Sequence, residues 1–367
     1  MNDPRVEKLA KVLVAYSLGL RRGDVFIIQG MDVAAPLIKA IYREGMQAGA
    51  HVITRVSVEG LDEIFYKEAS EEQLTYVSEL RRFEVEKITA TVSLMGGYNV
   101  KGLTGIDPRR MAMTQKANLE IMRRFMERAA KGELRWCGTM WPNHASAQEA
   151  EMSLTEYEDF VYKACFVDKP DPVAEWRRVA GEQDRIVQFL SAKKMIRVEG
   201  QDTDLTVNVT GRKWINCAGE ENMPDGEIFT GPIEDSAKGR IRYTYPAIYG
   251  SKEVVDVRLT FKEGKVVEAN AAKGEDLLQA MIAMDEGAKC IGEFAIGTNY
   301  GIQRFTKNTL FDEKIGGTMH VALGFSIPES GGVNQSGIHW DMVCDLKEGG
   351  RITADGEKFY EDGKFLI

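Results

Sequence analysis

The stretch VFIIQGMDVAAPLIKAIYREGMQAGAHVITRVSV, residues 25–58, holds two apolar, β-branched runs on either side of a helix-forming segment. VFIIQ from Val25 and HVITRVSV from His51 have the length and composition of strands, and Asp32 can cap a helix reaching about Gln47 between them. Strand, helix, strand in this order is a right-handed βαβ unit, so the two strands run parallel.

The pattern extends in both directions. Upstream, Asp3-Pro4 caps a helix whose apolar face is Val6, Leu9, Leu13 and Tyr16. Downstream come a capping box from Ser70 to Gln73, the strand KITATVSL, a long helix after Asp107-Pro108 and the strand LRWCG from Leu134. Further helices start near Ser153, with Glu156 at the capping-box position, and at Asp171-Pro172, the latter running to about Lys194. Residues 1–194 therefore read as an α/β domain with a parallel sheet and covering helices. The turn after VFIIQ is Gly30-Met31-Asp32, and neither GxGxxG nor GxxxxGK[ST] occurs, so this half reads as scaffold rather than a nucleotide site. The methionines Met111, Met113, Met122 and Met126 read as core filling of its helices.

Beyond Lys194 short strand signals follow one another: MIRVEG, TDLTVNVTG, RIRYTYPAIYG and VVDVRLTFKEGKVVEANA. Glu263-Gly264, Asp355-Gly356 and Asp362-Gly363 have the composition of two-residue hairpin turns, and one helix, from about Glu275 to Lys289, interrupts the strands. Residues 195–367 read as a second, mainly antiparallel α+β domain. A chain of 367 residues suits two domains, given a usual domain size of roughly 100–200 residues.

A net charge of −9 excludes a nucleic-acid partner, because binding the phosphate backbone requires clustered Lys and Arg. No apolar run reaches membrane-spanning length and the N-terminus lacks the apolar block of a signal peptide, so the expected location is cytoplasmic, with no membrane partner. The five cysteines are widely spaced and form no CxxC pair; they read as reduced, mostly buried thiols.

Of four histidines, His320 and His339 fall within GTMHVALGFSIPESGGVNQSGIHWDMVCD. In a strand, His339 and Asp341 leave the same face while Trp340 points away. An isolated His-x-Asp pair is commonly a hydrogen-bonded core feature. Here it has company: His320 precedes VALG, Glu293 precedes FAIG and Glu227 precedes IFTG, so each ionisable group borders an apolar strand. Burying such groups is costly unless they are paired or hold a metal, and three carboxylates with two imidazoles suit Zn, Mn or Co.

The strings NMPDGEIFTGP, IGEFAIGTN, GGTMHVALG and SGIHWDM, in this order, resemble the signature of the thermophilic metallo-aminopeptidase family (aminopeptidase T, AmpS and PepS types) over essentially the whole chain. The resemblance implies an α/β N-terminal domain, a C-terminal domain with a two-metal site, a homodimer, and release of N-terminal residues from peptide substrates by a metal-activated water. Carried over by position, the metal ligands are Glu227, Glu293, His320, His339 and Asp341. The family's tyrosine, seven residues after the first of these histidines, falls on Ile327, which offers no donor. Its contribution is then absent, supplied by Tyr300 or another residue, or replaced by water.

Two other readings use the same residues. His320, His339 and Asp341 would also form the facial triad of a mononuclear iron ring-cleaving dioxygenase of the dihydroxypyridine type, although Glu227 and Glu293 are superfluous to such a triad. A non-catalytic binding protein would hold no metal.

Overall fold

The computed structural model describes residues 3–250 and 252–367, which fold as two compact units. One comprises the residues up to Val173 together with Gly219–Pro224. Its strands all run parallel, in the order His51–Ser57, Val25–Met31, Ala90–Met95, Arg135–Met140 and Asn222–Met223. Phe26, Ile28, Ala90 and Val92 are fully buried, which matches the continuous apolar runs expected of a parallel sheet covered by helices.

Local chemistry sets the helix starts. The Asp3 carboxylate accepts the Arg5 amide at 2.8 Å. Ser70 with Gln73, and Ser153 with Glu156, form reciprocal capping boxes. Three expectations need correction. Asp32 caps no α-helix; it opens a 3₁₀ turn, Asp32–Ala34, and the helix Ala35–Gln47 follows without a side-chain cap. The long helix after Asp107 is two helices, Pro108–Ala117 and Leu119–Ala130, which meet at Asn118, where the backbone leaves helical dihedrals (φ −86°, ψ 0°) and the side chain also bonds the Thr114 carbonyl at 2.8 Å. Met122 and Met126 are 59% and 51% exposed, so they do not fill a core; with Ile121, Phe125 and Trp136 they line an open apolar groove.

The other unit, residues 174–218 and 225–367, is mainly antiparallel. Its eight-stranded sheet has the order Lys265–Asn270, Arg258–Lys262, Lys238–Arg242, Thr203–Asn208, Met195–Gly200, Arg351–Ala354, Glu357–Glu361, Lys364–Phe365. At Glu263-Gly264, Asp355-Gly356 and Asp362-Gly363 both residues have positive φ, as a two-residue I′ hairpin turn demands. The helix expected to reach Lys289 stops at Ile282, and a 3₁₀ turn, Gly287–Lys289, follows in which the Asp285 carboxylate accepts the Ala288 amide.

A second sheet of five strands runs in chain order: β1 (Ile215–Cys217), β2 (Glu227–Thr230), β3 (Ile291–Gly297), β4 (Thr318–Gly324) and β5 (His339–Asp345). One face is mainly apolar. Ile228, Phe294, Ile296, Val321, Leu323 and Met342 join Val198, Leu205, Leu259 and Phe261 of the larger sheet in a single buried cluster. Each such side chain contributes about 1.5–3 kcal/mol by leaving water. Phe294 is fully buried and meets the Trp214 ring edge-on at 6.3 Å. Phe294→Ala is expected to cost about 3–5 kcal/mol, read as a lower denaturant midpoint with an unchanged slope; a loss below about 1 kcal/mol would show that this face does not carry the sheet.

Candidate metal centre

The opposite face of the same sheet carries the ionisable residues. Side chains alternate along a strand and directly paired residues share a face, so the register decides who meets whom. His339 pairs with Gly324, Asp341 with Ala322, Ala322 with Glu293, His320 with Ala295, and Glu227 with Gly297. All five predicted ligands therefore leave one face. Each has an alanine or glycine as a cross-strand neighbour, and these small residues leave room for the long side chains to converge.

The structure brings the five together. His320 Nε2 lies 3.2 Å from Glu293 Oε1, 3.5 Å from Glu227 Oε2 and 3.9 Å from Asp341 Oδ1. His339 Nε2 lies 3.4 Å from Asp341 Oδ1 and 3.7 Å from Glu293 Oε2. Glu293 thus turns one oxygen toward each imidazole. The ring of His339 is aimed by its Nδ1, which lies 2.8 Å from the Phe325 carbonyl, an outer contact of the kind that fixes the tautomer of a metal-binding histidine. Gln183 steadies the start of β2, donating to the carbonyls of Glu227 and Cys217, while Gln183 Oε1 accepts from Thr298 Oγ1.

Two charged residues that sequence reasoning does not reach complete the cluster. Glu313 presents a carboxylate oxygen near an imidazole nitrogen of His320 and a carboxylate oxygen of Asp341, and the side chain of Lys314, with no exposure at all, reaches Glu227 Oε1 at 3.4 Å and touches Glu313. In FDEKIGG these residues look like an ordinary charged turn, and nothing local marks them as buried. Tyr300 does not replace the missing tyrosine as a donor: its hydroxyl proton goes to the Gly363 carbonyl at 2.9 Å. Ile327 precedes a short 3₁₀ turn, and its carbonyl accepts from Ser330 Oγ.

Burial and mutual charge shift His320, His339, Glu227, Asp341 and Lys314. Desolvation would push His320 down, yet its hydrogen bond to Glu293 and the charges of Glu227 and Asp341 raise it to about 9. His339 is likewise opposed by burial and raised to about 10 by Asp341 and Glu293. Burial raises Glu227, with only partial relief from Lys314. Desolvation pushes Asp341 up, but its contact with His339 and the charges of His339, His320 and Lys314 together hold it below its ordinary range. Lys314 is raised despite its burial by Glu227, Glu313 and Asp225.

This donor set fits a divalent cation. Glu227 Oε2, Glu293 Oε2 and Asp341 Oδ1 are buried without a hydrogen-bond partner, an arrangement that costs free energy unless a cation satisfies it. The ligand atoms of Glu227, Glu293 and His320 lie within 4.8 Å of one another, as do those of Glu293, His339 and Asp341. Beside His339 and Asp341 a cavity opens, walled by Ile248, Tyr249 and Phe305 and edged by Glu313.

A parallel α/β unit joined to an antiparallel unit bearing such a cluster defines a metal-dependent enzyme. The profile of the family described as thermophilic metalloprotease (M29) matches residues 2–365, and the chain belongs to that family. It is 28% identical to aminopeptidase 2 of Geobacillus stearothermophilus over 97% of this chain and 96% of the relative. Wild-type AmpT from Thermus thermophilus shares its fold, with a TM-score of 0.87 at 23% identity over 99% of both chains. The 2,5-dihydroxypyridine dioxygenase from Pseudomonas putida KT2440 is a more distant fold relative, with a TM-score of 0.59 at 13% identity over 100% of this chain and 98% of that one.

An imidazole must lose its proton to bind a cation, so metal loading releases protons wherever His320 and His339 begin protonated. With values raised to about 9 and 10, both carry protons at neutral pH in the metal-free chain. Calorimetric titration with zinc near pH 7, in buffers of different ionisation heat, is expected to show net proton release and an affinity that rises with pH. Binding that releases no proton would mean that the metal does not take these histidines as ligands.

Proposed function

We propose that this metallopeptidase is an aminopeptidase that holds two divalent cations, Zn, Co or Mn, through Glu227, Glu293, His320, His339 and Asp341 and releases the N-terminal residue of peptides. The observation that carries the reading is the convergence on one sheet face of three buried carboxylate oxygens, from Glu227, Glu293 and Asp341, that have no hydrogen-bond partner. Glu293, with an oxygen toward each histidine, favours two ions sharing one carboxylate over a single ion. When bound, the cations supply Lewis acidity, polarising the scissile carbonyl and lowering the pKa of the attacking water.

The chain's own residues position and select. His339, aimed by the Phe325 carbonyl, and Asp341 stand at the edge of the cavity where a substrate enters. Glu313 and Asp341 give that edge an anionic character suited to a free α-ammonium, while Ile248, Tyr249 and Phe305 offer an apolar wall to a side chain. Residues 195–367 form the catalytic domain in this reading, and a cytoplasmic homodimer is the expected working form. Among the described residues no helix is long and apolar enough to cross a membrane. The dioxygenase reading has fold likeness in its favour, but its facial triad needs neither Glu227 nor Glu293, which share the same cluster.

Elemental analysis and an aminoacyl-anilide panel, run with Zn, Co or Mn, test the proposal. Two ions per chain and metal-dependent release of the N-terminal residue are expected; a single iron with no hydrolysis would favour the ring-cleaving alternative. His339→Ala and Asp341→Ala should each lose metal and at least about 100-fold in turnover, since outer contacts alone are worth 10–100-fold, while circular dichroism stays unchanged. Undiminished turnover in either variant would remove these residues from the centre.

A further inference from the structure

We propose that Lys314 is a positioning residue of the metal centre: its buried ammonium holds Oε1 of Glu227, so that this carboxylate offers a cation one oxygen, Oε2, and not both. The inference rests on the metal-centre reading above.

Lysine is almost never fully buried unless it is paired, and the side chain of Lys314 has no exposure. Its Nζ lies 3.4 Å from Glu227 Oε1 and contacts Glu313 on its other side. The two oxygens of Glu227 are thereby distinguished: Oε1 faces the ammonium, whereas Oε2 faces His320 at 3.5 Å and has no hydrogen-bond partner. A cation and an ammonium repel each other, so an oxygen engaged by Lys314 is withheld from the metal. The ammonium also offsets one of the cluster's negative charges.

The backbone is built to deliver Lys314 there. Asp312 accepts from the amides of Thr306 and Asn308 and from the Thr306 hydroxyl, which closes the loop before the turn. The Lys314 carbonyl then accepts the Asn299 amide at 3.1 Å. Gly297, the cross-strand partner of Glu227, permits this approach: a Cβ at that position would lie 2.2 Å from the Ile315 carbonyl oxygen. A side chain at the end of β3 would push residues 314–315, and the ammonium with them, away from Glu227.

Cobalt-loaded protein carrying Lys314→Met tests the proposal. Freed from the ammonium, Glu227 can chelate through both oxygens; the coordination number then rises and the visible cobalt absorption loses intensity, a signature that a merely structural lysine would not control. Turnover at saturating metal should fall about 10–100-fold, mainly in kcat. The double variant Lys314→Met/Glu313→Gln keeps the net buried charge and should show the same spectral change, which covers the case in which the single variant fails to fold. An unchanged cobalt spectrum and kcat in whichever variant folds would overturn the proposal. A crystal structure of the zinc-loaded wild type reads the contact without any substitution: Glu227 bound through Oε2, with Lys314 against Oε1, supports the proposal, and chelation through both oxygens overturns it alone. Failure of the wild type to take up metal would defeat the metal-centre reading as well.

Discussion

The structure depends on one constraint: a sheet of five antiparallel strands must bury an apolar face and, on the other face, gather groups that resist burial. The period of two along each strand makes this arrangement available. Ile228, Phe294, Val321 and Met342 sink into the core, while their neighbours Glu227, Glu293, His320 and Asp341 emerge opposite. Sliding Thr318–Gly324 by a single residue would invert its two faces, placing the His320 imidazole in the core and an apolar neighbour such as Val321 among the acids. The hydrophobic effect on one side therefore fixes the geometry of the site on the other.

Charge balance within the site follows from the same crowding. Three carboxylates and two imidazoles packed this closely exist without metal only by sharing protons, which is why both histidines hold theirs so firmly. In the proposed centre a divalent cation takes the place of those protons. Lys314 behaves differently, as a permanent cation that no metal need displace, anchored by a turn whose own hydrogen bonds lie outside the cluster. The protein thus combines exchangeable positive charge at the centre with fixed positive charge at the edge.

Family membership and fold place the chain among metalloproteases, yet one position departs from the resemblance. Ile327 stands where the family has a tyrosine, and Tyr300 gives its hydroxyl proton to a distant carbonyl. The cluster also holds Glu313 and Lys314. In the proposed reading, chemistry in this chain rests on the five candidate ligands and these two neighbours, with the apolar wall of Ile248, Tyr249 and Phe305 beside them.

Much of this was legible in the residues alone. The run 25–58 specified parallel strands, because strand and helix periodicities are local properties of side-chain spacing, and the three Glu-Gly and Asp-Gly turns specified hairpins, because their positive φ favours glycine. The five site residues were visible as ionisable groups bordering apolar strands, and their resemblance to a family signature named them as ligands. Other features needed the fold. Asn118 divides one helix into two where its backbone leaves helical dihedrals, and Met122 and Met126 turn outward because helical spacing says which residues share a face but not what covers it. Lys314 and Glu313 belong to a charged turn that only tertiary packing buries, since burial is set by what other segments bring against a residue. The sequence by itself determined the periodicities and the ligand chemistry; the tertiary structure decided which charges meet, because those contacts join strands far apart in the chain.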